Sequence, residues 1–367
     1  LIGIFDSGFE SIQTMPAFSH LFTDKKIKFT YDFVANNDNV YDDDDHGTMV
    51  LSCISGLLPN EFSGTAPEAD IALFRTEDVD TETKIEEFYW LLAAEKADSL
   101  GVDIINSSLG YSIFDSPAQN YSYNDMVGNK ALITRAANWA AKVGILVVTS
   151  AGNEGRSSWR YITAPADGDS VLSVGAVNAS QVIASFSSVG PSAKGTIKPE
   201  IVAQGQSVAV IPPTNSIRFA NGTSFSSPLI AGFAACVKQA FPYLTAHELR
   251  ETIMQSGSQA LSPDNSKGYG IPTFSAVEKR EKAKNILLQA EPIPSFTTLE
   301  AWIKSSISQD KMEKVTLSLV NGQILYEENL LSFKLLDLTV QLTRDTPYLI
   351  TLSNSEKSIS KKILLIR

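Results

Sequence analysis

The stretch KALITRAANWAAKVGILVVTSAGN, residues 130–153, indicates the fold class of this chain. Residues 130–144 have the apolar spacing of a helix and end on a glycine, which commonly terminates helices. Residues 145–153 begin with the apolar run ILVV, as expected for a buried strand. A helix that leads directly into a buried strand is typical of α/β proteins.

The same alternation runs along most of the chain. Because strands alternate with helices of this length, we expect a parallel sheet covered by helices on both faces. In such sheets, functional residues gather at the carboxyl ends of the strands. The other predicted strands are at residues 1–5, 69–75, 102–110 and 170–177, and the other predicted helices are at residues 47–58 and 83–101.

The pattern changes near the C-terminal end. Residues 290–298 are a proline-bearing linker, and Asn321-Gly322 between two alternating runs predicts a β-hairpin. We therefore predict an α/β domain at residues 1–290 and a small all-β sandwich domain at residues 293–367. Further strand-like runs of this second domain lie at residues 333–342, 347–354 and 361–367.

Composition excludes several classes of protein. The 367 residues carry a formal net charge of −11, so electrostatics do not favour nucleic acid or anionic membranes as partners. No apolar run approaches the ~20 residues of a membrane span, and no secretory signal is present. A buried strand at residue 1 leads us to expect that preceding residues are removed, either by processing or by the design of the expressed protein. The two cysteines, Cys53 and Cys236, lie in apolar helical stretches, and we expect buried free thiols.

The three histidines differ in their surroundings. His20 lies in an amphipathic stretch, and His247 lies in the first turn of a helix that Thr245 and Glu248 begin as a capping box. We expect both to be structural. His46 follows an acidic run and begins a helix with Gly-Thr, so it is the candidate general base.

A histidine base needs an orienting carboxylate and a nucleophile. Asp6 ends the first strand and could hold the imidazole, although an aspartate there could also cap the next turn. Ser224, in the segment GTSFSSP, lies just before a helix that we expect to start near Pro228. It could be the nucleophile or only a helix cap, a role that Ser226 or Ser227 could also fill.

Asn153 follows a buried strand and lies between Gly152 and Gly155. Its side-chain amide could donate a hydrogen bond to a developing oxyanion, although the residue could also be an ordinary turn asparagine.

Taken together, these segments resemble the subtilisin family. The order Asp6, His46, Ser224 is the order of its catalytic triad. FDSG, HGT, GTSFSSP and SAGN resemble its aspartate, histidine, serine and oxyanion motifs, and NSSLG resembles the strand that pairs with substrate. The resemblance covers residues 1 to about 280 and implies a three-layer fold with a seven-stranded parallel sheet. More narrowly, the chain resembles secreted subtilisin-like peptidases of Bacteroidetes, which are usually made with a propeptide.

The resemblance implies a serine endopeptidase that needs no cofactor. Ser224 would be the nucleophile, His46 the general base and Asp6 its partner, with Asn153 in the oxyanion hole. Substrate would lie along Ser107, Leu109 and Gly110, and its P1 side chain would enter a pocket bounded by Ala151, Gly152 and Glu154, with Ala164, Pro165 and Ala166 as the far wall. Small walls predict broad specificity led by large apolar P1 residues, and the Glu154 carboxylate predicts acidic P1 as the worst.

Some positions depart from the family pattern. Met49 replaces a common second histidine, Phe225 replaces the usual methionine after the nucleophile, and residues 111–129 look like an insertion. The segment LLPNEF at residues 57–62 lacks the family's asparagine-rich calcium loop, so we assign no metal ligands. Calcium as a structural ion at Asp42–Asp45, Asp115 or Asp125 is an alternative to a solvated acidic loop.

The C-terminal segment resembles the sorting domain of substrates of type IX secretion. We therefore expect a secreted or cell-surface enzyme whose partners are peptide substrates, its own propeptide and that secretion machinery. The alternative for this segment is a β-domain that binds substrate or matrix. Two further alternatives remain for the whole chain: a binding module that kept the fold without catalysis, and an adhesion or carbohydrate-binding protein.

Overall fold

The computed structural model describes residues 1–288, 313–319, 324–329, 347–355 and 358–364. The chain divides into two compact units, Leu1–Phe274 and Ser275–Arg367, which we describe separately. The predicted linker at residues 290–298 lies outside the described residues, so the predicted domain boundary stays a prediction.

The first unit contains eleven strands and six α-helices among its residues. The strands are β1 (Ile2–Asp6), β2 (Ile27–Asp32), β3 (Leu57–Leu58), β4 (Phe62–Ser63), β5 (Ile71–Arg75), β6 (Ile104–Ser107), β7 (Leu146–Ser150), β8 (Leu172–Val177), β9 (Ile201–Gln204), β10 (Val208–Val210) and β11 (Arg218–Ala220). The helices are α1 (Ser19–Thr23), α2 (His46–Ser55), α3 (Ile85–Ser99), α4 (Leu132–Val143), α5 (Thr223–Ala240) and α6 (Ala246–Gln255).

Seven of these strands form a parallel sheet in the order β2-β5-β1-β6-β7-β8-β9, which confirms the predicted architecture. The carboxyl ends of the neighbouring strands β1, β6 and β7 are Asp6, Ser107 and Ser150, so these residues meet at one edge. The two outermost strands, β2 and β9, were not predicted. β2 is only partly buried and β9 has four residues, so neither gives a strong apolar signal.

Helices cover the sheet on both faces. On one face, Phe5 of β1 packs against Phe74 and Trp90, with ring centroids 5.1 and 5.2 Å apart. Ser107 of β6 faces the same side, because its hydroxyl accepts a hydrogen bond from the Trp90 indole at 3.0 Å. Its neighbour Asn106 faces the other side and bonds to helix α5, since successive side chains of a strand alternate.

Helix α5 begins earlier than predicted. It starts at Thr223, and Pro228 lies inside it rather than at its start. A proline has no backbone N–H, so it cannot bond the carbonyl four residues earlier. Here that carbonyl belongs to Ser224, and it accepts a hydrogen bond from the Ser108 hydroxyl at 2.9 Å instead. A contact with a distant strand thus replaces the missing helical bond, and Ser224 lies in the first turn of the helix.

Arg75 joins the ends of two strands to the acidic loop. It ends β5 and is only 6% exposed. Its guanidinium lies 2.9 Å from the Asp32 carboxylate and 3.4 Å from that of Asp43, and its Nε donates to the Ser7 carbonyl at 3.0 Å. The cation therefore balances two carboxylates beside the carboxyl ends of β1 and β2.

The insertion at residues 111–129 packs against helix α3. The Tyr121 hydroxyl donates to Glu87 at 2.6 Å, and the Lys84 ammonium lies 3.1 Å from the centre of the Tyr121 ring. Phe114 and Met126 are buried. The insertion is therefore a packed part of the first unit rather than a free loop.

Helix α7 (Phe274–Leu288) begins at the last residue of the first unit and continues into the second. The described residues of the second unit also contain four strands. β12 (Lys314–Leu319), β13 (Ile324–Asn329), β14 (Pro347–Ser353) and β15 (Ser358–Leu364) form an antiparallel sheet in the order β13-β12-β14-β15. β12 and β13 pair as the predicted hairpin requires, although Asn321-Gly322 lies outside the described residues. The strand predicted at residues 333–342 also lies outside them, so a second sheet stays a prediction.

Candidate active site

Asp6 and His46 form a close polar contact. Asp6 is the last residue of β1 and His46 the first of α2, and Asp6 Oδ1 lies 2.6 Å from His46 Nδ1. The Asp6 side chain is fully buried, and its Oδ1 also accepts from the backbone N–H of Ser7 at 2.9 Å. A buried carboxylate held in this way fixes the orientation of the imidazole.

The charges around His46 favour its protonated form. Removal from water lowers the pKa of the imidazole, but the carboxylates of Asp6, Asp44 and Asp45 together outweigh this effect. The pKa of His46 therefore lies above its ordinary value. A base in this position is ready to hold the proton that it receives from a nucleophile.

Ser224 lies in the first turn of α5 and is 9% exposed. Its hydroxyl donates to the Ser108 carbonyl at 3.3 Å. The ring of the next residue, Phe225, lies 5.9 Å from the His46 imidazole between centroids, which places the start of α5 beside the histidine. The structure therefore brings the three predicted triad residues to one place, with the serine hydroxyl turned toward Ser108. For a proton transfer to His46, the hydroxyl would first have to turn away from the Ser108 carbonyl.

Asn153 is oriented by Thr223. The backbone N–H and the hydroxyl of Thr223 both donate to Asn153 Oδ1, at 2.9 and 3.0 Å. Because a backbone N–H can only donate, the atom that it contacts must be the amide oxygen. The amide nitrogen of the exposed Asn153 side chain therefore points away from Thr223 and can donate to a ligand. Sequence reasoning missed Thr223, although it lies directly before the predicted nucleophile.

Ser108 was also missed. Besides its bonds to Ser224, its hydroxyl accepts from the Asn106 amide at 3.0 Å, and Asn106 accepts from Ser227 at 2.8 Å. This chain of hydrogen bonds joins the end of β6 to the first turns of α5. Ser227 thus connects the two elements through a hydrogen bond and does not cap the helix. Ser226 donates to the Thr223 carbonyl.

The predicted substrate residues lie on two neighbouring segments. The Ser107 side chain lies on the face of the sheet that Trp90 covers, opposite to the face that α5 covers. Only the backbone of Ser107 can therefore face a substrate. The Leu109 carbonyl accepts from Ser150 at 3.2 Å, and Gly110 is exposed.

The second segment follows β7. Ala151 is buried, and the Gly152 N–H donates to the Thr223 hydroxyl at 3.2 Å. The Glu154 N–H donates to Ser188 at 3.0 Å, and the Glu154 side chain is half-buried. Of the predicted far wall, Ala164 pairs with Tyr111 through two backbone hydrogen bonds of 2.8 and 3.1 Å.

The remaining histidines lie elsewhere. His20 Nε2 is 3.2 Å from the Pro67 carbonyl, and His247 lies in the first turn of α6, which begins with the expected capping box. Both cysteines are free. Cys53 is buried, which raises the pKa of its thiol to about 12, whereas Cys236 is only half-buried, contrary to prediction.

The acidic loop before His46 does not fit a calcium site. Asp42 accepts from Asn39, Asp43 faces Arg75, and Asp44 accepts from Ser7 at 2.6 Å. These carboxylates point to separate partners, whereas a hard cation needs several oxygens at once. In the described part of the chain, no group of three or more histidine, cysteine or acidic side chains is placed to hold a metal ion. We assign no calcium site here.

None of the helices in the described ranges combines the length and apolarity that crossing a membrane requires.

Comparison with known proteins gives three kinds of match. The model of the subtilase family, peptidase S8, matches residues 1–270. Subtilisin DY of Bacillus licheniformis is 33% identical over 271 residues, which are 73% of this chain and 86% of that protein. Subtilisin NAT of Bacillus subtilis subsp. natto is 32% identical over 273 residues, which are 73% of this chain and 62% of that protein.

Two solved structures have the same fold. A psychrophilic protease named S41 superposes with a TM-score of 0.60 at 24% identity, over 75% of this chain and 91% of the other. A cold-adapted subtilisin-like serine proteinase superposes with a TM-score of 0.56 at 20% identity, over 74% and 86%.

Proposed function

The chain belongs to the subtilase family of serine peptidases, and we propose that it is a secreted endopeptidase with Asp6, His46 and Ser224 as its triad. The observation that carries this assignment is the 2.6 Å contact between Asp6 and His46, beside the first turn of α5. That contact joins the ends of two elements 40 residues apart in the chain. A buried carboxylate on an imidazole next to a helix-terminal serine supports acyl transfer.

The proposed reaction begins when Ser224 Oγ attacks the scissile carbonyl. His46 Nε2 takes the hydroxyl proton and later gives it to the leaving amine, and Asp6 keeps the other proton on Nδ1. Water then attacks the acyl-enzyme by the same route and releases the second product. No cofactor enters these steps.

The oxyanion would be stabilised from two sides. Thr223 holds Asn153 Oδ1, which leaves the amide N–H₂ as a donor, and the Ser224 backbone N–H is one of the unpaired donors of the first turn of α5. The positive end of the helix adds to this stabilisation. Both donors are fixed before substrate arrives, which is the property that makes such sites effective.

Substrate would lie along the backbone of residues 107–110, with its P1 side chain between that segment and residues 151–154. Backbone pairing of this kind recognises an extended peptide without reading its sequence, which supports broad specificity. Glu154 at the rim disfavours acidic P1 residues, although an exposed charge contributes under about 1 kcal/mol. The predicted preference for large apolar P1 residues rests on the burial of apolar area, and it assumes an empty space between the two walls.

We also propose where the enzyme acts and how it matures. We expect a propeptide that is removed in maturation and a mature enzyme that is secreted or held at the cell surface. The second unit would be a sorting domain for type IX secretion. The acidic net charge of the chain is compatible with an extracellular digestive role.

Labelling and turnover test the proposal. Ser224→Ala should abolish fluorophosphonate labelling and reduce peptide hydrolysis by on the order of a millionfold, the loss known for the serine of subtilisin itself. Ser226→Ala, which removes a neighbouring hydroxyl of the same segment, should retain labelling. Ser224→Ala activity within tenfold of the unmodified enzyme would show that another residue is the nucleophile.

A further inference from the structure

The Thr163 hydroxyl is a buried polar group without a hydrogen bond in the described part of the structure. The side chain is 4% exposed, and its Oγ1 has no hydrogen-bond partner among the residues that the structure describes. Buried hydroxyls in native proteins are nearly always paired, so an unpaired one needs an explanation. Its place in the fold suggests that the shape of the side chain matters more than its bonding.

Thr163 lies between the two segments that would hold the substrate. A β-carbon on Gly110 would clash with the Thr163 hydroxyl, and one on Gly152 would lie 3.0 Å from that hydroxyl and 2.8 Å from that of Ser188. Gly110 follows β6 and Gly152 follows β7, two neighbouring strands of the sheet. The Thr163 N–H donates to the Ala151 carbonyl at 3.2 Å, which holds the residue in this position. The Thr163 side chain therefore fills the space toward which both glycines point.

The same two segments both contact the first turn of α5. The first contains Ser108, whose carbonyl accepts from Ser224 Oγ at 3.3 Å. The second contains Gly152, whose N–H contacts the Thr223 hydroxyl at 3.2 Å. A P1 side chain that enters between them from Ser224 would therefore meet Thr163 as the base of its pocket. The predicted preference for large P1 residues assumed that this space is empty.

We propose that Thr163 determines specificity by closing the base of the P1 pocket, so that the enzyme prefers small P1 residues such as alanine over phenylalanine or leucine. The proposal rests on the proposed endopeptidase function and replaces the predicted preference for large apolar P1 residues. The proposed effect depends on the volume of the Thr163 side chain and not on its hydrogen bonding, because the hydroxyl is covered on both sides by the glycine backbones. It also implies that substitutions at Thr163 lose no internal hydrogen bond of the described fold and should leave the protein folded.

The test compares peptides that differ only in P1, with alanine, leucine or phenylalanine there. The unmodified enzyme should have its highest kcat/KM with alanine. Thr163→Gly, which empties the space, should raise kcat/KM for leucine and phenylalanine relative to alanine by roughly tenfold or more, the scale on which pocket volume discriminates substrates. Thr163→Val, which keeps the volume and removes the hydroxyl, should retain the original ranking.

Several results would overturn the proposal. An unmodified enzyme that cleaves after leucine or phenylalanine as well as Thr163→Gly does would show that Thr163 closes nothing. A ranking that changes equally in Thr163→Val and Thr163→Gly would assign the effect to the hydroxyl and not to volume. If Thr163→Gly does not fold, Thr163→Ala takes its place in the same comparison. Failure of the unmodified protein both to cleave any peptide and to react with fluorophosphonate would instead reject the endopeptidase function itself.

Discussion

The Asp44 carboxylate accepts a hydrogen bond from the backbone N–H of His46 at 3.3 Å, so a second carboxylate lies beside the proposed base. It contributes to the raised pKa of the imidazole. Only neutral His46 can accept a proton, so activity should be lost as the pH falls through this pKa. Asp44→Asn removes one negative charge and should move the acidic limb of kcat/KM to lower pH. Asp42→Asn removes a charge of the same loop that is not among the carboxylates named as raising the His46 pKa, and it should shift the limb less. Equal shifts in both variants would contradict this role of Asp44.

Asn153→Leu should lower kcat far more than it raises KM, because the amide acts on charge that appears only in the transition state. We expect a loss in kcat of about 10²–10³, the value known for the oxyanion asparagine of subtilisin. Thr223→Val should cause a smaller loss, since the Thr223 backbone N–H still holds the amide. A change carried entirely by KM would mean that Asn153 binds substrate instead.

Arg75→Met should strongly destabilise the first unit. Asp32 is 1% exposed and would be left as a buried charge without its cation. Removing one partner of such a pair costs about 3–5 kcal/mol in the free energy of unfolding. Lys194→Met breaks the exposed ion pair with Asp169 and should cost less than about 1 kcal/mol. Urea unfolding of both variants provides the comparison, and losses of similar size would argue that Arg75 is not a structural cation.

Calcium should have little effect on thermal stability. The carboxylates of residues 42–44 are engaged with three different partners and do not converge on one point. The melting temperature should therefore be the same in chelator and in millimolar calcium. A rise of several degrees with calcium would place an ion site in this chain that its described residues do not reveal.

Deletion of residues 293–367 should leave the cleavage of small chromogenic peptides nearly unchanged. All the proposed catalytic and substrate residues lie within the unit Leu1–Phe274, and units of this kind commonly fold alone. The rate per labelled active site is the appropriate measurement. Failure to obtain folded protein would show that the first unit depends on the deleted segment. The sorting proposal adds that the deleted form should remain inside its native host.

Local patterns were enough to predict the fold class. The helix and glycine stop at residues 130–144 and the strand after them correspond to α4, Gly144 and β7. The period of apolar residues, the glycines that end helices and the order of the motifs all depend on residues that are close in the chain. They can therefore be recognised from a single sequence. Asp6, His46, Ser224 and Asn153 were predicted as site residues for the same reason, because each lies in a short motif at the end of an element.

Other features depend on which strands lie side by side. The edge strands β2 and β9 have weak apolar signals and are recognised only by their neighbours in the sheet. Ser107 and Ser108 are adjacent and chemically alike, yet one bonds to Trp90 and the other to Ser224, because a strand turns successive side chains to opposite faces.

The sequence by itself thus determined the α/β sheet and the types and order of the proposed catalytic residues, because both depend on local spacing in the chain. Only the tertiary structure decided what surrounds them. Thr223 fixes the amide of Asn153 from 70 residues away, and Thr163 comes to lie between two glycines of separate strands. Contacts of this kind are created when the strands assemble, and no periodicity in the chain encodes them.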